Sequence, residues 1–148
     1  MAKAVPSQGQ FAVLLHAAAT LEKGSPDRTD HADVAVIGGS FAGLTAALYV
    51  ARARRSVAVH DNGLTRNRFS HNGHGVLGMG GLAPKVMPAR GIADVLAYPT
   101  ASLRAETVVS VIRQGAAFHV QADSALLARR AILAYGMHDI LPDFPGLA

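Results

Sequence analysis

The sequence contains no cysteine, which excludes disulfides, thiolate zinc sites and a cysteine redox couple within this chain. It also has no tryptophan, and aromatic residues make up only 5% of its 148 residues, whereas alanine and glycine are abundant. This composition suits tight packing of helices on a sheet better than an aromatic core. The length allows one domain at most, with a core of modest size.

The sequence also lacks a long apolar run. Phe11–Ala19 is too short to cross a membrane as a helix. His16 interrupts this run and only one lysine precedes it, so we do not expect a signal peptide. The acids Glu22, Asp27 and Asp30 argue against a transit peptide. We therefore expect a cytoplasmic protein with no membrane partner.

The formal net charge is +4, and arginines cluster at positions 52–55, 66–68 and 129–130. Solvated ends of secondary-structure elements explain such clusters, and arginines at 52–55 also complement the dipole at a helix C-terminus. The sequence shows neither a basic face with interleaved aromatics nor a known nucleic-acid motif. We expect no nucleic-acid partner.

One stretch, Asp33–Asp61, organises the chain. Val34–Ile37 is apolar and rich in β-branched residues, as a strand buried on both faces of a parallel sheet must be. The glycine turn Gly38–Gly43 (GGSFAG), a helix over Leu44–Arg55 and a second apolar strand over Ser56–Asp61 follow. This order predicts the βαβ unit that binds the adenosine and pyrophosphate of a dinucleotide.

Each part of the turn has a mechanical role. Gly38 can adopt the tight turn after the strand, and Gly43 lets the helix approach that strand closely. The first helical turn directs unpaired N–H groups at the phosphates. Ser40 stands where the fingerprint has its middle glycine; its Cβ limits the approach of the pyrophosphate, and its hydroxyl can donate a hydrogen bond to phosphate.

An acid ends the second strand. Asp61 follows Gly38 by 23 residues, close to the spacing of the acid that hydrogen-bonds a ribose hydroxyl. Its carboxylate would repel the 2′-phosphate of NADP, so the site favours FAD or NAD. The alternative is an ordinary α/β turn without a ligand.

Residues 1–31 form an N-terminal extension that is either one helix, over Gln10–Lys23, or disordered. After the second strand, Asn62–Gly81 is a long glycine-rich loop, which we interpret as backbone passing close to a flat cofactor. His71 and His74 lie three residues apart, but no third ligand follows at a suitable spacing, so we expect no metal site.

The second half of the chain predicts one more helix and then strands. The helix is expected over Ala89–Ala97, because Pro88 does not fit a helix interior. Three strands are expected over Thr107–Ile112, Ala117–Ala122 and Arg129–Ala134, joined by short turns. The fold class is therefore α/β, a Rossmann-like parallel sheet with a small antiparallel meander.

The chain resembles the N-terminal FAD-binding segment of the thioredoxin-reductase-like NAD(P)/FAD-dependent oxidoreductases. The resemblance runs from about Asp33 to the C-terminus. It is carried by DVAVIGGSFAGLTAAL at 33–48, the segment 59–63, the loop from RNRF at 66–69 through HGVLG at 74–78, AYPT at 97–100 and ILAYGMHDILPDFPG at 132–146.

The resemblance implies FAD as the cofactor, with NAD as the alternative, and assigns residues to it. Gly38, Gly39, Ser40, Phe41, Ala42 and Gly43 match the pyrophosphate loop, and Asp61 matches the ribose acid. His74 lies in the stretch along the flavin, Thr107 falls near the strand that holds the adenine, and Gly136 ends the Ala-Thr-Gly that closes over the cofactor. Tyr135 replaces the threonine of that tripeptide, and Gly80 stands where the family usually has an acid.

The resemblance also shows what the sequence lacks. It has no second G-x-G-x-x-G that follows an apolar strand, no C-x-x-C and no Gly-Asp, so residues 32–148 correspond to an incomplete FAD/NAD(P)-binding domain. Two functions follow: an FAD-dependent oxidoreductase whose NADPH domain comes from a second chain or a homodimer partner, or a non-catalytic, vestigial dinucleotide-binding module. No residue of the sequence is assigned a catalytic role.

Overall fold

The computed structural model describes residues 30–65 and 86–137. There the chain forms β1 (Asp30–Ile37), α1 (Phe41–Arg52), β2 (Val57–His60), α2 (Val86–Leu96), β3 (Ala101–Arg104), β4 (Ser110–Gln114), β5 (Ala117–Gln121) and β6 (Ala125–Leu133). Neither of these two helices is long and apolar enough to span a membrane. The expected N-terminal helix, positions 66–81 of the expected loop, and His71 and His74 lie outside the described residues.

All six strands form one sheet in the order β3-β2-β1-β6-β5-β4. The strands β3, β2, β1 and β6 run parallel, whereas β6, β5 and β4 pair antiparallel. The Rossmann-like α/β fold with a small antiparallel meander is thereby confirmed. The last strand of the meander, β6, is also the parallel neighbour of β1, so it joins the two halves of the sheet.

The register brings the carboxyl ends of the parallel strands to one edge. Ile37 pairs with His60 on one side and with Leu133 on the other, and His60 pairs with Arg104. In open α/β sheets, ligands bind in the crevice outside this edge.

The sheet coils so strongly that the meander folds back over one face. Arg104, at the carboxyl end of β3, donates a 2.8 Å hydrogen bond to Asp30, at the amino end of β1. The helices cover the opposite face. Two cores result: one of Val36, Leu44, Ala47, Ala51, Val57, Val59 and Val95 under the helices, and one of Ala35, Ile37, Ala58, Val120, Leu126 and Ala128 under the meander.

Strand β2 shows why both cores are needed. Its residues alternate between them, with Val57 and Val59 towards the helices and Ala58 towards the meander. All four residues of β2 are buried, as expected for a parallel strand covered on both faces.

Helix α1 ends at Arg52 and not at the expected Arg55. Arg54 adopts a left-handed φ of +58°. Its N–H binds the carbonyl of Ala51 at 2.9 Å, and the N–H of Arg55 binds that of Val50 at 3.2 Å. This is the Schellman arrangement that closes helix C-termini, here with arginine where glycine is usual.

Helix α2 begins at Val86, three residues before the expected start. Pro88 is its third residue, where the backbone N–H would have no intrahelical acceptor in any case. The expectation that proline excludes the helix was wrong because the first turn tolerates it.

The strand bounds also differ from those expected. Strand β3 was not predicted. Ala101–Arg104 is short and mixed in polarity, and its strand conformation is stabilised by pairing with β2. Strand β4 begins at Ser110 instead of Thr107, and β6 begins at Ala125 instead of Arg129. Strand β6 pairs with β1 from Leu126 to Leu133 and, over Ala125–Ala128, with β5 as well, and this double pairing is not visible in an apolar pattern.

Candidate dinucleotide-binding site

The glycine turn has the geometry that the sequence predicts. Gly38 has a φ of +108°, a conformation that side chains rarely adopt. A Cβ built there would collide with the carbonyl oxygen of Ala134, which directly follows β6, and one built at Gly43 would collide with the carbonyl oxygen of Gly38. Glycine is therefore required at both positions, at Gly38 for the turn and at both for close packing.

Gly39 has a role that sequence reasoning did not find. A Cβ at this position would lie 2.6 Å from Cβ of Asp61 and 2.7 Å from its carboxyl group. Only glycine lets the Asp61 side chain lie directly against the turn. The acid and the glycine turn are therefore in direct contact.

The N-terminus of α1 is open towards this site. Ser40 is its N-cap residue in an extended conformation, but its hydroxyl makes no capping hydrogen bond, and the first turn contains no acid. The N–H of Leu44 is bound by the Ser40 carbonyl at 2.9 Å. The preceding N–H groups of Phe41, Ala42 and Gly43 have no intrahelical acceptor and carry the positive end of the helix dipole.

A cavity of about 490 Å³ lies beside the turn, within the range of roughly 300–1,000 Å³ typical of ligand pockets. It opens at the carboxyl ends of β1, β2, β3 and β6. Its walls come from four chain segments: Ile37–Ser40, His60–Asn62 with Leu64 and Thr65, Glu106–Val108, and Ala134–Met137.

Most of the sequence-predicted residues meet at this cavity. Gly38, Gly39, Ser40 and Asp61 line it, as do Thr107 and Gly136. Phe41, Ala42 and Gly43 do not line it and instead begin α1 behind it. His74 lies outside the described residues, so its role stays a prediction.

The walls are held by backbone hydrogen bonds. The N–H of Gly38 binds the carbonyl of His60 at 2.8 Å, and the N–H of Ala134 binds that of Ile37 at 2.8 Å. Gly136 has a left-handed φ of +72°, while Tyr135 beside it is 71% exposed at the cavity mouth. The tyrosine that replaces threonine therefore leaves the cavity open.

A buried polar cluster under the cavity was not predicted. His60 is only 1% exposed, and its Nδ1 lies 2.9 Å from Oε1 of Glu106. This contact is close, but it is not aligned as a hydrogen bond, and Nε2 has no hydrogen-bond partner among the described residues. Burial lowers the pKa of His60, outweighing the opposing effect of the Glu106 carboxylate. The imidazole is therefore neutral at neutral pH.

Sequence reasoning missed this cluster because Glu106 is distant in the chain and comes after the unpredicted strand β3. The one available signal was a histidine among the apolar residues of β2. Within the described residues, no group of three side chains could hold a metal ion. What the site offers is backbone N–H groups for an anion, a carboxylate for hydroxyls and an apolar wall for a ring.

Comparison with known proteins agrees with this geometry. Residues 32–148 match the family model described as pyridine nucleotide-disulphide oxidoreductase. Thioredoxin reductase sirT of Leptosphaeria maculans is 31% identical over 121 residues, and thioredoxin reductase tcpT of Claviceps purpurea is 33% identical over 125. Each match covers 78% of this chain but only 37% and 38% of those proteins.

Solved structures give the same result. The crystal structure of the oxidoreductase from Agrobacterium tumefaciens matches 79% of this chain at 39% identity with a TM-score of 0.74, and the match covers 40% of that chain. This chain therefore spans well under half the length of the relatives and structures that it matches.

Proposed function

The chain belongs to the pyridine nucleotide-disulphide oxidoreductase family, and we propose that it is an FAD-binding oxidoreductase domain of the thioredoxin-reductase-like class. The observation that carries the proposal is the cavity at the carboxyl edge of the parallel strands, where Asp61 lies against a glycine turn and an uncapped helix N-terminus. This arrangement of acid, turn and helix end suits a dinucleotide.

The residues present fit the adenosine diphosphate half of FAD. The turn Gly38–Ser40, which lines the cavity, and the N–H groups at the start of α1, which have no intrahelical acceptor, would hold the pyrophosphate. Asp61 would accept hydrogen bonds from the ribose. Thr107 would lie beside the adenine, and Gly136 together with His74 would lie towards the flavin.

Bound flavin would supply the redox chemistry by accepting and releasing a pair of electrons. This chain's own residues would bind and orient it. The open mouth near Tyr135 and Met137, which are 71% and 68% exposed, leaves room for the remainder of the cofactor. No residue here is assigned a proton-transfer step.

We further propose that an NADPH-binding domain from a second chain or a homodimer partner completes the enzyme. Strand β6 pairs with β5 only over Ala125–Ala128, so on that side segment 129–133 has no neighbouring strand among the described residues. An added strand would satisfy these backbone groups. A cytoplasmic location stays a prediction.

NAD is the alternative ligand, because the turn and the acid suit both dinucleotides. The match to thioredoxin reductases beyond the fingerprint favours FAD. A non-catalytic dinucleotide-binding module is the second candidate, because this sequence contains no cysteine for a redox pair.

Calorimetric titration with FAD and with NAD tests the proposal. We expect the protein to bind FAD more tightly than NAD, and Asp61→Ala to weaken FAD binding roughly tenfold or more, because hydrogen bonds to a charged group contribute about 1.5–3 kcal/mol. Asp94→Ala is the matched control, since Asp94 is an exposed carboxylate on α2. Tighter binding of NAD, or equal FAD affinity in both variants, would contradict the assignment.

A further inference from the structure

Two ionisable side chains, His60 and Glu106, are buried against each other under the cavity. His60 is 1% exposed, the Glu106 side chain is 8% exposed, and Nδ1 and Oε1 are 2.9 Å apart. Removing such groups from water costs free energy that apolar side chains would not cost. The other three residues of β2 are apolar and buried, so packing alone does not explain a histidine here.

The position of the pair relates it to the proposed cofactor site. His60 is followed directly by Asp61, the proposed ribose ligand, and Glu106 is followed by Thr107 and Val108 on the other wall. All five residues line the cavity. The contact between His60 and Glu106 therefore joins the two walls between which an adenosine would lie.

Further contacts fix the Glu106 side of the pair. The Ser124 backbone N–H and hydroxyl donate hydrogen bonds to the Glu106 carboxylate at 3.0–3.1 Å. Arg104 donates to the Ser124 hydroxyl at 2.9 Å. Glu106 thus contacts both the end of β2 and the turn between β5 and β6, and these contacts fix its position.

A second link joins the two walls nearer to solvent. The Asn62 side-chain amide donates to the Thr107 hydroxyl at 3.4 Å, and the N–H of Asp61 binds the carbonyl of Arg104 at 2.9 Å. The buried pair and this outer link together hold segment 106–108 beside the acid.

We propose that His60 and Glu106 form a positioning pair that sets the width of the adenosine subsite and thereby the affinity for the ADP half of the cofactor. This inference rests on the proposed function. Neither side chain contacts the ligand in this role: both act through Asp61 and through the Thr107–Val108 wall. A neutral imidazole against a carboxylate holds the spacing that an adenine ring requires.

The charged groups around His60 make the effect of the positioning pair on ADP affinity depend on pH. Two charged groups face the imidazole: Arg104 on β3 and Glu106 in the loop after β3. On the other side, its neighbour on β1 is the apolar Ile37. The next residue along the chain is Asp61. Burial lowers the pKa of His60 below its ordinary 6.5. A ligand over the cavity adds to this burial, so ADP affinity is expected to fall as the pH drops through the lowered pKa of His60.

The test is calorimetric titration of the full chain with ADP. We expect Glu106→Gln, which keeps the shape and removes the charge, to weaken ADP binding about tenfold. Asp123→Asn is the control, because Asp123 is an exposed carboxylate in the same turn as Ser124, and it should bind ADP as the unchanged protein does. If Glu106→Gln does not fold, Ser124→Ala replaces it and should weaken binding a few-fold.

A pH profile separates positioning from general structural support. The unchanged protein should bind ADP more weakly below the lowered pKa of His60 than at about pH 7.5, and His60→Gln should show a smaller change, because glutamine does not titrate whereas the terminal phosphate of ADP titrates equally with both proteins. ADP affinity within twofold in Glu106→Gln, or an unchanged pH slope in His60→Gln, would overturn the inference while leaving the proposed function intact. If the unchanged protein binds neither ADP nor FAD, the proposed function itself fails.

Discussion

Gly43 is the residue of the glycine turn that tolerates substitution least. A Cβ there would collide with the backbone carbonyl of Gly38, which cannot move without opening the turn. We expect Gly43→Ala to lower the free energy of unfolding by about 1–3 kcal/mol and to weaken FAD binding at least tenfold, measured by urea unfolding and FAD titration.

The same substitution elsewhere in the protein serves as its control. Gly91 lies in α2, and the nearest atom to a Cβ there is a terminal methyl of Leu44 at 3.1 Å, which can rotate away. Gly91→Ala should change stability by no more than about 1 kcal/mol and leave FAD affinity unchanged. Equal losses in the two variants would contradict the role assigned to Gly43.

Asp33, in the amino-terminal half of β1, makes stability depend on pH. The Ser56 backbone N–H and hydroxyl donate to its carboxylate at 3.1 and 3.2 Å. The backbone bond is the main cause of a pKa below the ordinary 3.8, and the Ser56 hydroxyl, Arg55 and Arg129 add to it against a smaller opposing effect of burial. Because the folded pKa is lowered, the stability contributed is present above pH 3.8 and lost as the pH falls through the folded value.

We therefore expect Asp33→Asn to lower the urea midpoint at neutral pH, with the difference from the unchanged protein shrinking towards pH 2. Asp94→Asn, at an exposed site, should show no such trend. A difference for Asp33→Asn that stays constant across this range would rule out the carboxylate as its source.

The roles of single residues differ in how well they can be predicted from the sequence. Gly38, Gly43 and Asp61 could be placed because a motif fixes their spacing along the chain, and the structure brings all three to one turn and its neighbouring strand. The requirement for glycine at Gly39 depends on a contact 22 residues away. The pairing of His60 with Glu106 depends on a strand register, which no local pattern encodes.

At the scale of elements, the C-terminus of α1 is closed by a strained residue. Arg54 holds a φ of +58°, which costs a non-glycine residue about 1 kcal/mol. We expect Arg54→Gly to raise the free energy of unfolding by about 0.5–1 kcal/mol, measured by urea unfolding. Arg52→Gly, inside the helix, should lower the free energy of unfolding by about 1 kcal/mol. If both substitutions raised it, the loss of the arginine charge would explain the stabilisation and the backbone conformation would not.

The elements that could be predicted are those whose structure follows from their own sequence pattern. β1, α1 and β2 follow from periodicity and the glycine turn, whereas β3 is a four-residue strand of mixed polarity that is ordered by β2. Helix α2 begins earlier than Pro88 suggested, because a backbone N–H in the first helical turn has no intrahelical acceptor and its absence in proline costs no hydrogen bond. Strand β6 was placed too late because its first half is held by two neighbouring strands, β5 and β1, and not by an apolar pattern of its own.

At the scale of the whole molecule, one sheet carries two layers, and the candidate site lies at the carboxyl ends of its parallel strands. The helices cover one face, the meander covers the other, and Arg104 links β3 to the start of β1 by its 2.8 Å bond to Asp30. The outer side of segment 129–133 and the exposed Leu133, Tyr135 and Met137 lie together at the end of β6. This edge is where we expect a completing domain to join.

The most direct test of the central claim is the visible absorption spectrum of the purified protein after addition of FAD and gel filtration. A dinucleotide site built by the Gly38–Gly43 turn and Asp61 predicts a flavin band that elutes with the protein. A colourless protein peak, with all added FAD in the small-molecule fraction, would contradict FAD binding by this chain and favour the non-catalytic module.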